Sequence, residues 1–257
     1  MKRFYIEGGK LLWEALDSEA SFERILWCHD LLRSPAEEQL LRRAVHSGIV
    51  CSEVGRNVFE SLSEWDEPEG LGAVLVQRPY RLEEVPLTGQ PLVVMVDSLQ
   101  DPGNLGTIIR TADGVGAAGV LLIGPCVDLY NPKTLRATMG SFFALPVVEC
   151  DDETAPLRWL KDRGMQVIAG TPKAAALYCE VDYRPSTCFV IGNEAHGIRE
   201  TIFPYVDASV RVPIFGKADS LNAAVAGAVL LYEAVRQRMM DKREKGTPDE
   251  RSTSLYR

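Results

Sequence analysis

The sequence has no long hydrophobic run, no paired cysteine motif and no excess of basic charge, and each absence removes a class of function. The longest apolar stretch, Ala223 to Tyr232, is far too short to cross a bilayer, so no membrane association is expected. Met1-Lys2-Arg3-Phe4 leads into Glu7 and a pair of glycines, with none of the apolar core of a signal peptide. Cysteines at 28, 51, 126, 150, 179 and 188 form no CxxC pair and have no histidine at ligand spacing. The expectation is therefore reduced thiols in a cytoplasmic protein with no structural metal. A net charge of −8 argues against loose, salt-driven binding of nucleic acid. The excess acid is concentrated in residues 1–89, which hold 10 Lys and Arg against 16 Asp and Glu. A nucleic-acid partner would need a local patch, for which Arg33, Arg42, Arg43, Arg56 and Arg78 are the candidates.

What is present is enough for a sizeable core: 257 residues, 46% hydrophobic and 25% charged, fit one large domain or two modest ones. Residues 4–7 read as a strand, and Leu11, Leu12, Ala15 and Leu16 as one helical face. Ile25-Leu26-Trp27 reads as a strand. Pro35 opens a helix that presents Leu40, Leu41, Ala44 and Val45 on one face. Strands are expected at 49–54 and 71–77, with the acidic stretch Glu64–Glu69 as a surface loop between them. Three prolines in 78–91 mark a linker. Beyond it Leu92-Val93-Val94-Met95-Val96 is a continuous apolar run, as in a parallel sheet covered on both faces. A helix through Ile108, Ile109 and Ala112 follows, then strands at 120–123, 143–148, 166–169 and 188–191, with a helix near 156–163. A final helix from Leu221 to about Met240 carries Leu221, Val225, Ala228, Val229, Tyr232 and Val235 at helical spacing. The polar segment 242–257 reads as a disordered tail.

Gly114-Val-Gly-Ala-Ala-Gly119 spells GxGxxG, which in a dinucleotide-binding unit follows a strand and opens a helix. Here it follows a helix and precedes a strand. It therefore reads as a helix stop and turn, and a nicotinamide oxidoreductase is disfavoured. Three other loops carry polar residues at expected strand ends, where α/β sheets bind ligands. They are Asp101 to Arg110, with Asn104 in the loop and Arg110 on the next helix; Phe189 to Gly197, with Glu194; and Val210 to Asn222, with Ser220. Singly, Asn104 could be a turn residue and Ser220 a helix cap.

Taken together, Asn104-x-Gly106-x-x-x-Arg110, Gly192-Asn193-Glu194-x-x-Gly197 and Val212-Pro213-x-x-Gly216-x-x-x-Ser220-Leu221-Asn222 resemble the three motifs of the SpoU (TrmH) RNA ribose 2′-O-methyltransferases, in the SPOUT class. Asn131 to Gly140 is similar to the family segment between the first two motifs, with Thr138 where serine is frequent. The opening Arg3-Phe-Tyr-Ile-Glu-Gly and closing Glu69-Gly-Leu-Gly resemble the substrate-binding domain of ribosomal-RNA members. Pro68-Glu69-Gly70 departs from the Pro-Gln-Gly more usual there.

The resemblance implies an α/β fold. A C-terminal parallel-sheet domain with a deep trefoil knot (86–241) would follow a small N-terminal α/β RNA-binding domain (1–85). It implies S-adenosylmethionine held by Gly170, Ile191, Gly192, Val212, Pro213 and Leu221. Catalytic work would fall to Asn104, Arg110, Glu194, Ser220 and Asn222, RNA contact to Lys133 and Arg136, and the molecule would be a homodimer. A guanidinium normally stays protonated, so Arg110 is expected to clamp a phosphate, with Asn104 positioning the ribose and Glu194 ordering neighbouring donors. His196 is a weaker candidate base. Ribosomal RNA is the expected substrate; transfer RNA and a catalytically dead RNA-binding factor are the alternatives.

Overall fold

The computed structural model describes residues 2–18 and 20–244. Its elements are β1 (Arg3–Glu7), α1 (Gly9–Asp17), β2 (Phe22–Trp27), α2 (Pro35–His46), β3 (Cys51–Glu53), α3 (Arg56–Leu62), β4 (Leu71–Val76), β5 (Leu92–Asp97) and α4 (Pro102–Gly114). Then come β6 (Gly119–Ile123), α5 (Pro132–Thr138), β7 (Val147–Cys150), α6 (Ala155–Lys161), β8 (Gln166–Gly170), β9 (Ala176–Leu177), β10 (Thr187–Ile191), β11 (Ala208–Arg211) and α7 (Ala223–Glu244).

These elements gather into two compact units that are interleaved along the chain. The first holds the described residues up to Tyr80 together with Asp101–Arg110 and Val127–Pro146. It contains a four-stranded sheet ordered β1-β4-β2-β3, antiparallel except between β2 and β3. Ile6, Leu12, Ile25, Leu40 and Leu71 centre its core. Pro35 stands in the first turn of α2, where its missing N–H costs nothing, and the Glu37 carboxylate accepts the Ser34 amide at 3.0 Å. Val45, expected on the buried face of α2, is 59% exposed, so that face narrows to Leu40 and Ala44.

The second unit holds a seven-stranded sheet ordered β7-β6-β5-β10-β8-β11-β9, parallel at every pairing. Every residue of β5, β6 and β10 is buried, which is why those strands are near-continuous apolar runs. Gly114 ends α4, Gly116 takes a φ of +67° and Gly119 opens β6, so the glycine-rich stretch forms the expected turn.

Several expectations shift. The strand at 49–54 contracts to β3, and 143–148 divides into a single 3-10 turn at Ser141–Phe143 and β7. Helices α3 and α5 were not foreseen. On α7 the buried stripe is Ala223, Ala224, Leu230, Leu231 and Ala234, whereas Val225 and Tyr232, two of the apolar residues at helical spacing, are 50% and 54% exposed. Of the expected tail, 242–244 continue α7 and 245–257 lie outside the described residues.

Candidate functional site

In a parallel sheet the loops leaving the carboxyl ends of adjacent strands converge, and here they enclose a cleft of about 320 Å³ in the second unit. Its walls come from the loops after β8, β10 and β11 and from the first turns of α7. Gly170, Ile191, Gly192, Glu194, Val212, Ser220 and Leu221 all line it. Among the described residues Pro213 and Asn222 do not. Asn222 caps α7, its Oδ1 accepting the amides of Ala224 at 2.9 Å and Val225 at 3.2 Å.

The shape of the β10 loop depends on two glycines and an asparagine. Asn193 and Gly197 exchange backbone hydrogen bonds at 3.0 and 2.9 Å, folding the loop back on itself. A side chain at Gly192 would collide with the backbone of Gly197 and Ile198, and Gly197 itself takes a φ of +73°. The Asn193 Oδ1 accepts the amides of Ala195 and His196, both at 2.9 Å, while its Nδ2 donates to the carbonyl of Ser98 at 2.7 Å. The Glu194 carboxylate accepts the Gln100 amide at 3.3 Å, and exposed His196 stands at the rim.

The far end of that loop is anchored by a pair that sequence reasoning missed. Asp97, fully buried at the end of β5, accepts the Arg199 backbone amide at 2.8 Å and its Nε at 2.6 Å, and Ser98 Oγ at 2.9 Å. Glu153 holds the same guanidinium. Asp97 and Arg199 lie 102 residues apart, so no local pattern links them. In the third loop Phe215 is 96% exposed.

The remaining candidates belong to the first unit. Asn104 lies on α4 and not in the loop before it; the loop contributes Asp101, whose carboxylate caps the helix by accepting the Asn104 amide at 2.7 Å. Arg110 is exposed just over two turns into α4. On α5, Lys133 Nζ is 4.0 Å from Asp101, and the Arg136 guanidinium lies 5.2 Å from the Trp65 ring centre. The arginine patch proposed for this unit is largely neutralised: Arg33 pairs with Glu67, Arg42 with Glu38, Arg43 with Asp17 and Arg56 with Glu60. No group of metal-binding side chains occurs among the described residues, and none of their helices is long and apolar enough to cross a membrane.

The sequence profile of the SpoU rRNA Methylase family matches residues 91–232, and that of the MRM3-like substrate binding domain matches residues 1–73. The chain belongs to the SpoU rRNA methylase family. Among SpoU relatives, it is 35% identical to the 23S rRNA (guanosine(2553)-2′-O)-methyltransferase RlmP of Bacillus subtilis, over 89% of this chain and 87% of that protein. It is 34% identical to a 23S rRNA (uridine(2479)-2′-O)-methyltransferase of Streptomyces viridochromogenes, over 83% and 72%. The SpoU methyltransferase AviRb from Streptomyces viridochromogenes, crystallised in complex with AdoMet, superposes with a TM-score of 0.84 at 28% identity, over 93% of this chain and 91% of that one.

The cleft suits such a cofactor on its own chemistry. It is built from strand-end backbone and from the apolar side chains of Ile191, Val212 and Leu221, which can hold a flat heterocycle in a dry slot. Gly170 opens its inner end: a Cβ there would sit 2.8 Å from Leu230 Cδ1. S-adenosylmethionine carries no phosphate, so it needs no glycine-rich phosphate loop at a helix start.

Proposed function

We propose that this chain methylates a ribose 2′-hydroxyl of large-subunit ribosomal RNA, using S-adenosylmethionine bound in the cleft after β8, β10 and β11. The observation that carries the reading is that this cleft, in a SpoU family member, brings together Gly170, Ile191, Gly192, Glu194, Val212, Ser220 and Leu221. The 23S rRNA activities of the relatives support the choice of ribosomal RNA over transfer RNA.

When bound, the cofactor supplies an electrophilic methyl group, so the chain's own task is to position a hydroxyl and ease the loss of its proton. The cofactor-facing residues in this reading are Gly170, Ile191, Gly192, Val212 and Leu221. Glu194 keeps the loop at Gln100 in place through the amide it accepts. Ser220, exposed at the mouth, orients the incoming ribose, and Asn222 holds the start of α7 beneath it. Arg110 clamps a phosphate of the target nucleotide, a role that a permanently charged guanidinium performs better than proton removal. Asn104 positions the ribose, and Lys133 and Arg136 contact the RNA backbone.

In the same reading residues 1–85 bind RNA and 86–241 transfer the methyl group. The parallel sheet closes into the deep trefoil knot of the SPOUT class, and the molecule works in the cytoplasm as a homodimer. The test is to incubate purified protein with methyl-labelled S-adenosylmethionine and total RNA, then map the label. Label at one ribose of 23S rRNA is expected. Label confined to transfer RNA would overturn the substrate, and tight NAD binding without S-adenosylmethionine binding would overturn the reading altogether.

A further inference from the structure

The first unit has a cavity of its own, of about 340 Å³, between β1, the Ser63–Gly70 loop and α5. Most of its wall is apolar, as at Leu26 and Leu135, but five residues give it a distinct chemistry: Tyr5, Glu7, Glu64, Trp65 and Arg136. Tyr5 and Glu7 are two apart on β1 and so share a face of the sheet. The Tyr5 hydroxyl is buried and makes no hydrogen bond within the protein. It lies directly over Gly72, where any side chain would collide with it, so the neighbouring strand is cut back to seat the ring. Glu7 is only 6% exposed and accepts Ser63 Oγ at 2.8 Å. Burial, opposed by Ser63 and by the Glu69 amide, raises its carboxyl above the ordinary carboxylate range. Trp65 offers an aromatic plane, with the exposed Arg136 guanidinium over its ring.

The loop that carries Trp65 is tied down. Ser63 Oγ accepts the Trp65 amide at 3.0 Å, and the Glu69 carboxylate accepts the Gly9 amide at 3.2 Å. What looked from its acidity like a plain surface loop therefore folds its one aromatic residue over the cavity.

A buried hydroxyl left without a partner loses its water and gains nothing in return, which is costly unless something else completes it. The missing group must reach the hydroxyl, tolerate a neighbouring carboxylate and lie flat against tryptophan. A phosphate fits badly beside Glu7, and a purely apolar group would leave Tyr5 unsatisfied. A planar heterocycle with an amino or ring N–H donor meets all three conditions. We infer that this cavity takes one unpaired nucleobase of the substrate RNA, stacked on Trp65 and hydrogen-bonded to Tyr5 and Glu7. Arg136 at the rim, with Lys133 three residues earlier on α5, then holds the adjoining phosphates. The inference rests on the RNA methyltransferase reading above, and it names how the acidic N-terminal unit recognises RNA despite its neutralised arginines.

Ultraviolet crosslinking of the full-length protein to 23S rRNA, followed by trypsin and mass spectrometry, tests it directly. A nucleotide adduct is expected on Trp65, within tryptic peptide 57–81 because trypsin spares the Arg78–Pro79 bond, and fragmentation separates it from Phe59 and Tyr80 in the same peptide. Two variants add an independent readout. Trp65→Ala should weaken RNA binding about tenfold, in the range of one lost base stack, without changing the salt dependence. Tyr5→Phe removes an unsatisfied hydroxyl, so it should melt no lower than the parent yet bind RNA several-fold more weakly. Neither should alter S-adenosylmethionine affinity. Unchanged RNA affinity in both variants, with the parent still methylating RNA and no adduct on that peptide, would overturn the pocket alone. A parent protein that neither binds nor methylates RNA would overturn the enzymatic reading and the pocket with it.

Discussion

At the scale of single residues, Asn222 separates a structural from a catalytic reading of the third motif. Its carboxamide oxygen satisfies two of the otherwise unpaired amides at the start of α7, a helix whose first turns wall the cleft. Replacing it with alanine exposes those amides and should cost about 1 kcal/mol of folding stability, as loss of a helix cap generally does. Serine at the same position retains an oxygen able to accept them, so Asn222→Ser should keep most of that stability. Urea unfolding of the two variants beside the parent checks this. If Asn222→Ala lost methyl transfer at unchanged stability, the side chain would be acting on substrate or cofactor and not as a cap. Ser220, two residues earlier, lines the cleft and leaves the capping to Asn222.

At the scale of elements, the crossing of α4 and α5 is the tightest contact that bears on the candidate RNA-facing residues. Gly106 lies on α4 between Asn104 and Arg110, and a Cβ there would collide with the Thr134 carbonyl and the Ala137 side chain on α5. The glycine of the first motif is thus a packing requirement between the helix that carries Asn104 and Arg110 and the helix that carries Lys133 and Arg136. Gly106→Ala should destabilise the protein by roughly 1–3 kcal/mol through overpacking, outweighing the better helix propensity of alanine. It should also reduce methyl transfer while sparing S-adenosylmethionine affinity. A thermal melt and a cofactor titration read the two effects apart, and a more stable variant would show that the helices do not cross so closely. Such crossings explain what could and could not be read in advance. The strands β5, β6 and β10 were legible because burial on both faces leaves unbroken apolar runs, and the cleft was legible in part because Gly192 to Gly197 follow β10. Helix α5 was not, since seven residues with Pro132 at the front and two cations show little periodicity. On α7 the large side chains of Val225 and Tyr232 drew the stripe to the exposed face, while the buried face begins with alanines that carry a weak hydrophobic signal. The bonds from Asn193 to Ser98 and from Asp97 to Arg199 span 95 and 102 residues, beyond any local pattern.

At the scale of the whole molecule, that exposed face of α7 bears on assembly. Val225 and Tyr232 are about half exposed, and Ala228 lies between them at helical spacing. A helix face of this kind is costly to leave in water, and a second copy of the chain is the partner that the proposed homodimer supplies. In that arrangement Arg110 of one subunit serves the cofactor cleft of the other, so that neither subunit is complete alone. Two lesions on different sides of such a shared site should complement each other. Arg110→Ala should abolish methyl transfer with cofactor affinity nearly unchanged, and Asn222→Ala should weaken the cleft at the start of α7. A heterodimer of the two, formed by co-expression, contains one site built from the unaltered Arg110 and the unaltered Asn222, and its activity should exceed the mean of the two homodimers. Differently tagged subunits purified in tandem and assayed with labelled cofactor would measure it. Absence of any such excess in a confirmed heterodimer would place Arg110 and the cleft it serves in the same subunit, and a fully active monomer by light scattering would remove the dimer from the mechanism.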